Sequence, residues 1–189
     1  MKIRPALLMD DKRRRFEAQA LPHLDAAYNL ARWLARPPVE ADDIVQDAIL
    51  RAYRGFDGFR GGDAKPWLLA IVRNCFFTAV GQARQRMIVP LSDDGQTEHD
   101  AAFIDGQPDP ELVSIRADQS RKLDEIIAAL PEEFREVLVL REMEDLSYRD
   151  IAQVTGTRIG TVMSRLARGR TLLRQTWLRD VEGARDGMQ

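Results

Sequence analysis

An arginine-rich stretch near the C-terminus carries the side chains in this chain that are best suited to recognition chemistry. The stretch from Arg158 to Arg174 holds five Arg and no acidic residue. It follows a short predicted helix, Tyr148 to Val154, and a turn that contains Gly156, an order typical of a helix-turn-helix. Arg forms paired hydrogen bonds with guanine, and Ser or Thr bonds base edges and phosphates. The pattern therefore predicts readout of duplex DNA by hydrogen bonding.

Several local signals agree with this helix-turn-helix. Ser147 is a good N-cap, and Asp150 stands three residues later, in a capping-box position. Gly156 suits the left-handed conformation that ends a helix. The apolar residues spaced to hold the two helices together are Ile151, Ala152, Val162, Leu166 and Leu173. The residues left for the outer face are Arg158, Thr161, Ser164, Arg165 and Arg168. A basic, solvated helix is the plain alternative, but the agreement of these signals favours DNA binding.

A second polar group shares one predicted helix at spacings of three to five residues: Asp42, Asp43, Gln46, Asp47 and Arg51. The residue types alone favour a solvated face. Three carboxylates can also hold a metal ion, but no His, nucleophile or base converges on them, which argues against an enzyme. Cys75 is the sole cysteine, so an internal disulfide and a cysteine-rich zinc site are both excluded. No metal and no cofactor is expected.

Charge is strongly partitioned along the chain, although the net charge is only −2. Residues 1–90 hold 15 Lys/Arg and 10 Asp/Glu, whereas residues 91–120 hold one Arg and eight acids. Residues 121–189 hold 12 of each sign. This charge excludes a protein that binds nucleic acid through a uniformly basic surface, but it leaves room for local basic faces. The acidic part is rich in turn residues, which favours a flexible linker over a packed element.

Apolar residues at spacings of three and four predict helices almost everywhere else. The predicted helices are Phe16 to Ala35, Ala41 to Arg54, Lys65 to Arg86, Leu112 to Ala129, Glu132 to Met143, Tyr148 to Val154 and Ile159 to Leu178. No stretch alternates with period two for long enough to indicate a strand. The prediction is an all-α chain of two small helical domains joined by a flexible acidic linker. The boundaries are 1–90, a linker at 91–114, 115–180, and a tail at 181–189.

The longest apolar runs are too short to span a bilayer, and no signal peptide is apparent before Lys12. We therefore expect no membrane insertion and a cytoplasmic location.

The second half resembles region 4 of the extracytoplasmic-function (ECF) sigma factors of bacterial RNA polymerase. The residues that carry this resemblance are Leu130–Pro131, Phe134–Arg135, Val139–Glu142, Leu146–Tyr148, Ile151–Ala152 and Gly160–Arg170. The first half resembles region 2 of the same family through Ala41–Asp47, Arg51–Tyr53, Phe56–Gly61 and Trp67–Asn74. The resemblance implies a transcription initiation factor without chemistry of its own. It implies binding to core polymerase, at the β′ clamp helices and the β flap, and to promoter DNA, with an anti-sigma factor as regulator.

The resemblance also assigns roles to residues. It implies that the −35 element meets the outer face named above, with Arg141 and Tyr148 bracing the DNA backbone. It implies that the polar group from Asp42 to Arg51 docks on the β′ clamp helices. Region 2 of the family reads the −10 element as a single strand with one base flipped into a pocket. Phe59 and Asn74 are the candidates for lining that pocket. The candidates for phosphate contacts are Arg60, Arg73, Arg84 and Arg86.

Three residues depart from the usual family pattern. Thr78 stands where an acid is common, Gly81 where a basic residue is common, and Met163 where the recognition helix usually has a basic residue. Two alternatives stay open, and the departures at Thr78 and Gly81 motivate the first of them. One is a sigma-like mimic that titrates an anti-sigma factor. The other is a stand-alone helix-turn-helix regulator that binds duplex DNA without polymerase.

Overall fold

The computed structural model describes residues 5–35, 39–87 and 121–186. We refer to residues 5–87 as the first lobe and to residues 121–186 as the second lobe. Helices and turns make up these residues, and none of the described ones is in a strand, so the all-α prediction is confirmed. The predicted linker at 91–114 lies outside the described residues.

Four helices build the first lobe: α1, Pro5–Gln19; α2, Leu24–Leu34; α3, Ala41–Gly55; and α4, Ala64–Met87. The predicted single helix from Phe16 to Ala35 is wrong, because a 3-10 turn, Leu21–His23, separates α1 from α2. Pro22 has no backbone N–H and its ring clashes with the preceding turn, so a helix cannot run through it undisturbed. The His23 N–H instead donates to the carbonyl of Ala20, at 3.1 Å.

The first-lobe core lies where α2, α3 and α4 face one another. Leu30 and Leu34 of α2 are fully buried, as are Leu68 and Leu69 of α4. Full burial of such a side chain contributes about 1.5–3 kcal/mol relative to leaving it in water. The helix continues through Gly81, and nothing lies within 4 Å of a Cβ placed there. The core therefore fixes α4, which carries several of the predicted contact residues.

The second lobe begins with a helix at 121–129, α5, followed by α6, Glu132–Leu138, and a π-helical turn, Val139–Met143. The predicted break at Leu130–Pro131 is confirmed. Arg135 is buried, and its Nη1 donates to the carbonyls of Ala128 and Leu130, at 2.8 and 3.2 Å. These bonds satisfy carbonyls at the end of α5 that have no partner within the helix.

The predicted helix-turn-helix is present as α7, Tyr148–Thr155, and α8, Ile159–Asp186. The Asp150 N–H donates to Ser147 Oγ at 3.2 Å, and Gly156 has a φ of 65°, so both predicted caps are confirmed. Ile151, Val162 and Leu166 are buried between the helices, as predicted. The helix α8 runs to Asp186, past the predicted end at Leu178.

The two lobes pack against each other. Helix α4 lies against α7, and α2 lies against α6. The buried apolar side chains of both lobes belong to one continuous cluster. Within the described ranges, no helix has both the length and the apolar character needed to cross a bilayer.

Candidate nucleic-acid interface

The outer surface of α8 gathers most of the residues predicted to face duplex DNA. Arg158, Ser164 and Arg168 are exposed, and Thr161 is half-buried. Arg165 is also half-buried, and its Nη2 lies 2.9 Å from a carboxylate oxygen of Glu133 on α6. The structure thus brings four of these residues to the N-terminal half of α8 and places Arg158 just before the helix, and Arg165 forms a salt bridge with a neighbouring helix.

The two residues expected to brace the DNA backbone lie together beside the helix-turn-helix. Arg141 Nη1 donates to the carbonyl of Leu146 at 2.8 Å, and its guanidinium stands 5.4 Å from the centre of the Tyr148 ring. Such a cation–π contact adds a modest attraction at a partly exposed site. Arg141 therefore supports the turn that leads into α7. Met163, the departure from the usual pattern, is 53% exposed on α8.

An aromatic cluster shapes the glycine-rich turn of the first lobe. Phe56 is fully buried, and Phe59 packs on it with 5.8 Å between ring centres. The Phe59 ring also lies 4.9 Å from that of Trp67, at the start of α4. Gly61 and Gly62 have φ of 87° and 95°, which L-residues with side chains rarely adopt. Phe59 is consequently a partly buried, packed ring at the edge of the core.

The remaining residues predicted to meet a single strand are on or near α4. Arg60 and Asn74 are exposed. The guanidinium of Arg73 lies 4.5 Å from the centre of the Phe77 ring and forms a salt bridge with Glu136 of the second lobe. Arg84 and Arg86 have helical backbone, but their side chains lie outside the described residues.

Glu136 is an acid in the interior. Its side chain is only 2% exposed. Burial raises the pKa of its carboxyl above the ordinary value, and the charge and hydrogen bond of Arg73 offset part of that rise.

A second polar contact joins the lobes at the turn before α7. Lys65 Nζ lies 3.0 Å from a carboxylate oxygen of Glu144 and donates to the Glu144 carbonyl at 2.8 Å. Asn29 of α2 donates to the other oxygen of the same carboxylate. Sequence reasoning did not predict either inter-lobe contact. The sequence does carry one signal for the burial of Glu136. This acid directly precedes the apolar run Val137 to Leu140, which is buried in the structure.

The acidic face of α3 points away from the core. Asp42, Asp43 and Gln46 are exposed, and Asp47 pairs with Arg51 at 2.7 Å. The hydrogen bond to Asp47 raises the pKa of Arg51. Among the described residues, no group of three or more His, Cys, Asp or Glu is placed to hold a metal ion.

Comparison with known proteins connects both lobes to one family. The model "Sigma-70 region 2" matches residues 21–86, and "Sigma-70, region 4" matches residues 120–173. The chain is 38% identical over 138 residues to the RNA polymerase sigma-H factor of Pseudomonas aeruginosa, across 69% of each chain. It is 31% identical over 148 residues to the ECF RNA polymerase sigma-E factor of Haemophilus influenzae, across 76% of this chain and 77% of that protein. This chain belongs to the ECF sigma factors.

Other relatives of the sigma factor agree. The ECF RNA polymerase sigma factor SigE of Mycolicibacterium smegmatis is 32% identical over 152 residues, and the match spans 57% of that protein's length. The solved complex of the sigma factor RpoE with the anti-sigma factor NepR from Bartonella quintana is 27% identical, with a TM-score of 0.69 over 86% of this chain and 96% of that chain. The structure of CnrH with the cytosolic domain of CnrY, 22% identical, has a TM-score of 0.61 over 93% and 95% of the two chains and shares the fold.

The family match aligns with the two lobes of the sigma factor. Region 2 covers α2, α3 and α4, which carry the acidic face and the aromatic turn. Region 4 covers α6, α7 and the first half of α8, which carry the outer arginines. The inter-lobe salt bridges therefore join region 2 to region 4 within one sigma factor.

Proposed function

We propose that the sigma factor binds core RNA polymerase and directs it to promoters with a −10 and a −35 element. One observation carries the proposal. Arg158, Ser164 and Arg168 are exposed in a capped helix-turn-helix, within a stretch (158–174) that has no acidic residue, in a chain whose other half matches region 2. The proposed division is residues 1–90 for region 2, 91–114 for the linker and 115–180 for region 4.

Region 4 is proposed to read the −35 element as duplex. The N-terminal half of α8 enters the major groove, where Arg168 and Arg165 meet base edges and Ser164 or Thr161 meets bases or phosphates. Arg165 also forms a salt bridge with Glu133 of α6. Arg141 and Tyr148 lie beside the backbone. Met163 contributes an apolar contact instead of a charge at this surface.

Region 2 is proposed to read the −10 element as a single strand. Flipping a base costs a few kcal/mol, which stacking and hydrogen bonds to the base edge offset. Phe59 supplies a ring at the edge of the core, and Asn74 supplies an exposed amide. Arg60, Arg73, Arg84 and Arg86 take the phosphates.

Two surfaces are proposed to bind the polymerase. Three acids of α3, the exposed Asp42 and Asp43 and the half-buried Asp47, complement basic groups on the β′ clamp helices, which increases specificity and association rate more than affinity. A groove of about 370 Å³ between α6 and α8 suits an apolar element of the β flap. Its lining residues are Phe134, Ala167, Arg168, Thr171 and Leu172.

On the polymerase, two individually weak DNA contacts become one tight contact because the second forms within an already bound complex. An anti-sigma factor is a further proposed partner, since the similar sigma factor RpoE from Bartonella quintana was solved in complex with the anti-sigma factor NepR. The proposed place of action is the cytoplasm, where polymerase transcribes.

The decisive experiment reconstitutes the sigma factor with core polymerase, followed by sequencing of the protected DNA and run-off transcription. The proposal expects co-migration with core and promoter-specific transcripts. Tight anti-sigma binding without any such transcript would favour the mimic, which the departures at Thr78 and Gly81 motivate. Specific duplex binding by the free chain, without co-migration, would favour a stand-alone regulator.

A further inference from the structure

The helix α8 presents two large apolar side chains to solvent near its start. Ile159 is 46% exposed and Met163 is 53% exposed. The two are four residues apart, so they lie on neighbouring turns at the same side of the helix. Ala167, one turn farther along, is also exposed. We refer to Ile159, Met163 and Ala167 as the apolar strip.

The apolar strip belongs to the part of α8 that is proposed to enter DNA. Exposed residues stand directly beside its members in the chain, namely Arg158, Ser164 and Arg168. The stretch 158–174 has five Arg and no acid, a composition that attracts phosphate. Single exposed apolar residues are common on protein surfaces and need no explanation. A row of them among basic residues, on a helix suited to the major groove, lies where base edges would pass.

Two polar side chains of this surface are already bonded within the protein. The Ser164 hydroxyl donates to the carbonyl of Thr161, at 2.9 Å. Arg165 Nη2 lies 2.9 Å from a carboxylate oxygen of Glu133. Ser164 therefore offers DNA its lone pairs rather than its proton, and part of the Arg165 guanidinium is engaged. Base readout here depends more on apolar contact than the polar residue types alone suggest.

The chemistry of the major groove gives such a strip one natural target. Thymine presents an apolar group there, its C5-methyl group, whereas the other bases present only donors and acceptors. The side chain of Met163 is unbranched and polarisable, so it adapts to a methyl group without exact placement. A basic residue at the same position would instead suit guanine, because Arg pairs with its O6 and N7 atoms. The presence of Met163 therefore changes which base pair fits.

We infer that the apolar strip reads thymine, with Met163 contacting the C5-methyl group of a thymine in the −35 duplex and Ile159 and Ala167 lying beside it. The inference rests on the proposed function, because it requires α8 to lie in the major groove of that element. It goes further by naming the base and the group that are recognised. The −35 element of this sigma factor should accordingly hold a thymine, on either strand, whose methyl group contributes to binding.

The first experiment removes the methyl group from DNA and leaves every base pair in place. Uracil lacks only the C5-methyl group of thymine, so each thymine of the protected −35 element is replaced in turn by deoxyuridine, on both strands. Binding of the polymerase holoenzyme to each duplex is measured by competition. At least one replacement is expected to weaken binding about fourfold, the effect of exposing one buried methyl group. A −35 element without thymine, or one in which every replacement is tolerated, would overturn the inference and leave the proposed function intact.

The second experiment asks whether Met163 causes this discrimination. Met163→Ala should bind the thymine and uracil duplexes equally, because the contact with the methyl group is gone. Met163→Leu keeps an apolar side chain of similar volume and should retain the preference for thymine. The control, Met143→Ala, shortens another exposed methionine of region 4 that lies outside α8, and should discriminate as the original chain does. Circular dichroism confirms that each variant is helical.

The remaining outcomes are distinct from one another. A preference for thymine that persists in Met163→Ala would overturn the role of Met163. Equal weakening of both duplexes by Met163→Ala would show that its side chain does not contact the methyl group, and would also overturn the inference. A holoenzyme that protects no −35 element would refute the proposed function itself, and the inference with it.

Discussion

Arg73 of α4 and Glu136 of α6 form a salt bridge across the two lobes, although 63 positions separate them in the chain. The Arg73 guanidinium also lies over the ring of Phe77, so it is held from two sides. Burial raises the pKa of Glu136, whereas Arg73 lowers it. Forming the pair therefore removes the Glu136 carboxylate from water, and the attraction of Arg73 offsets part of that loss. A residue proposed for DNA contact is therefore occupied by region 4 in the free chain.

The −35 assignment predicts a sequence-specific loss when an outer arginine is removed. Arg168→Ala or Arg165→Ala should weaken binding of the polymerase holoenzyme to its promoter by about 1–3 kcal/mol if the side chain contacts a base. Promoter binding is measured against templates with single changes in the −35 element. Arg174→Ala, an exposed arginine farther along α8, serves as the control. Unchanged promoter selectivity in both outer variants would remove α8 as the recognition helix.

The acidic face of α3 predicts a charge-dependent loss of polymerase binding. Asp43→Arg with Asp47→Arg should reduce capture of core enzyme and of isolated β′, because repulsion replaces attraction at the interface. A matched control is Glu17→Arg with Asp25→Arg, which alters exposed acids elsewhere in the first lobe by the same charge. The measurement is a pull-down over a salt series. Equal capture by the two double variants would refute the docking face.

Local rules explain what the sequence predicts correctly in this fold. The ends of α3 and α4, the break at Leu130–Pro131 and both caps of α7 depend on residues within one or two turns, and each appears where it was expected. The break at Pro22 was missed because the apolar spacing continues across it from Phe16 to Leu34. There, a residue that cannot donate a hydrogen bond outweighs the periodic pattern.

The inter-lobe contacts depend on information that periodicity does not contain. An apolar stripe identifies which face of a helix is buried, but not which helix covers it. The packing of α4 against α7 joins segments that are separated by the linker. The apolar pattern of either helix does not predict that the other helix packs on it. The same limit applies to site residues. Sequence placed Arg73 and Arg165 on predicted helices, whereas their partners Glu136 and Glu133 are known only from the fold.

Cys75 should be nearly inert in the folded chain. Burial raises the pKa of its thiol to about 11, and the charge of Arg51 offsets part of that rise. Relative to the ordinary value of 9.0, this reduces the reactive thiolate about a hundredfold at pH 8. Iodoacetamide should alkylate Cys75 slowly in buffer and fast in urea, as followed by mass spectrometry. The rate in urea, where the chain is unfolded, is the control for the reactivity of the same thiol. Labelling in buffer within tenfold of the urea rate would contradict the burial of Cys75.

The same shift fixes the sign of a pH effect on stability. Between pH 9 and about 11 the folded chain keeps the Cys75 proton that the unfolded chain loses. Unfolding therefore releases a proton, and stability is lost as the pH rises above 9. Denaturant unfolding at pH 8 and pH 10 should show a smaller midpoint difference in Cys75→Ala than in the original chain. An identical difference in both would show that another group is responsible.

The turn between α7 and α8 predicts opposite effects for two glycines four residues apart. Gly156 has a φ of 65°, so Gly156→Ala forces a left-handed alanine, at a cost of about 1–2 kcal/mol. Gly160 has a helical backbone and open space where a Cβ would lie, so Gly160→Ala should stabilise the lobe by up to ~1 kcal/mol. Thermal unfolding measures both effects, because each kcal/mol shifts the melting temperature of a chain of this size by about 2–4 °C. Equal melting temperatures for the two variants would contradict the left-handed cap, and with it the turn that sets α8 against α7.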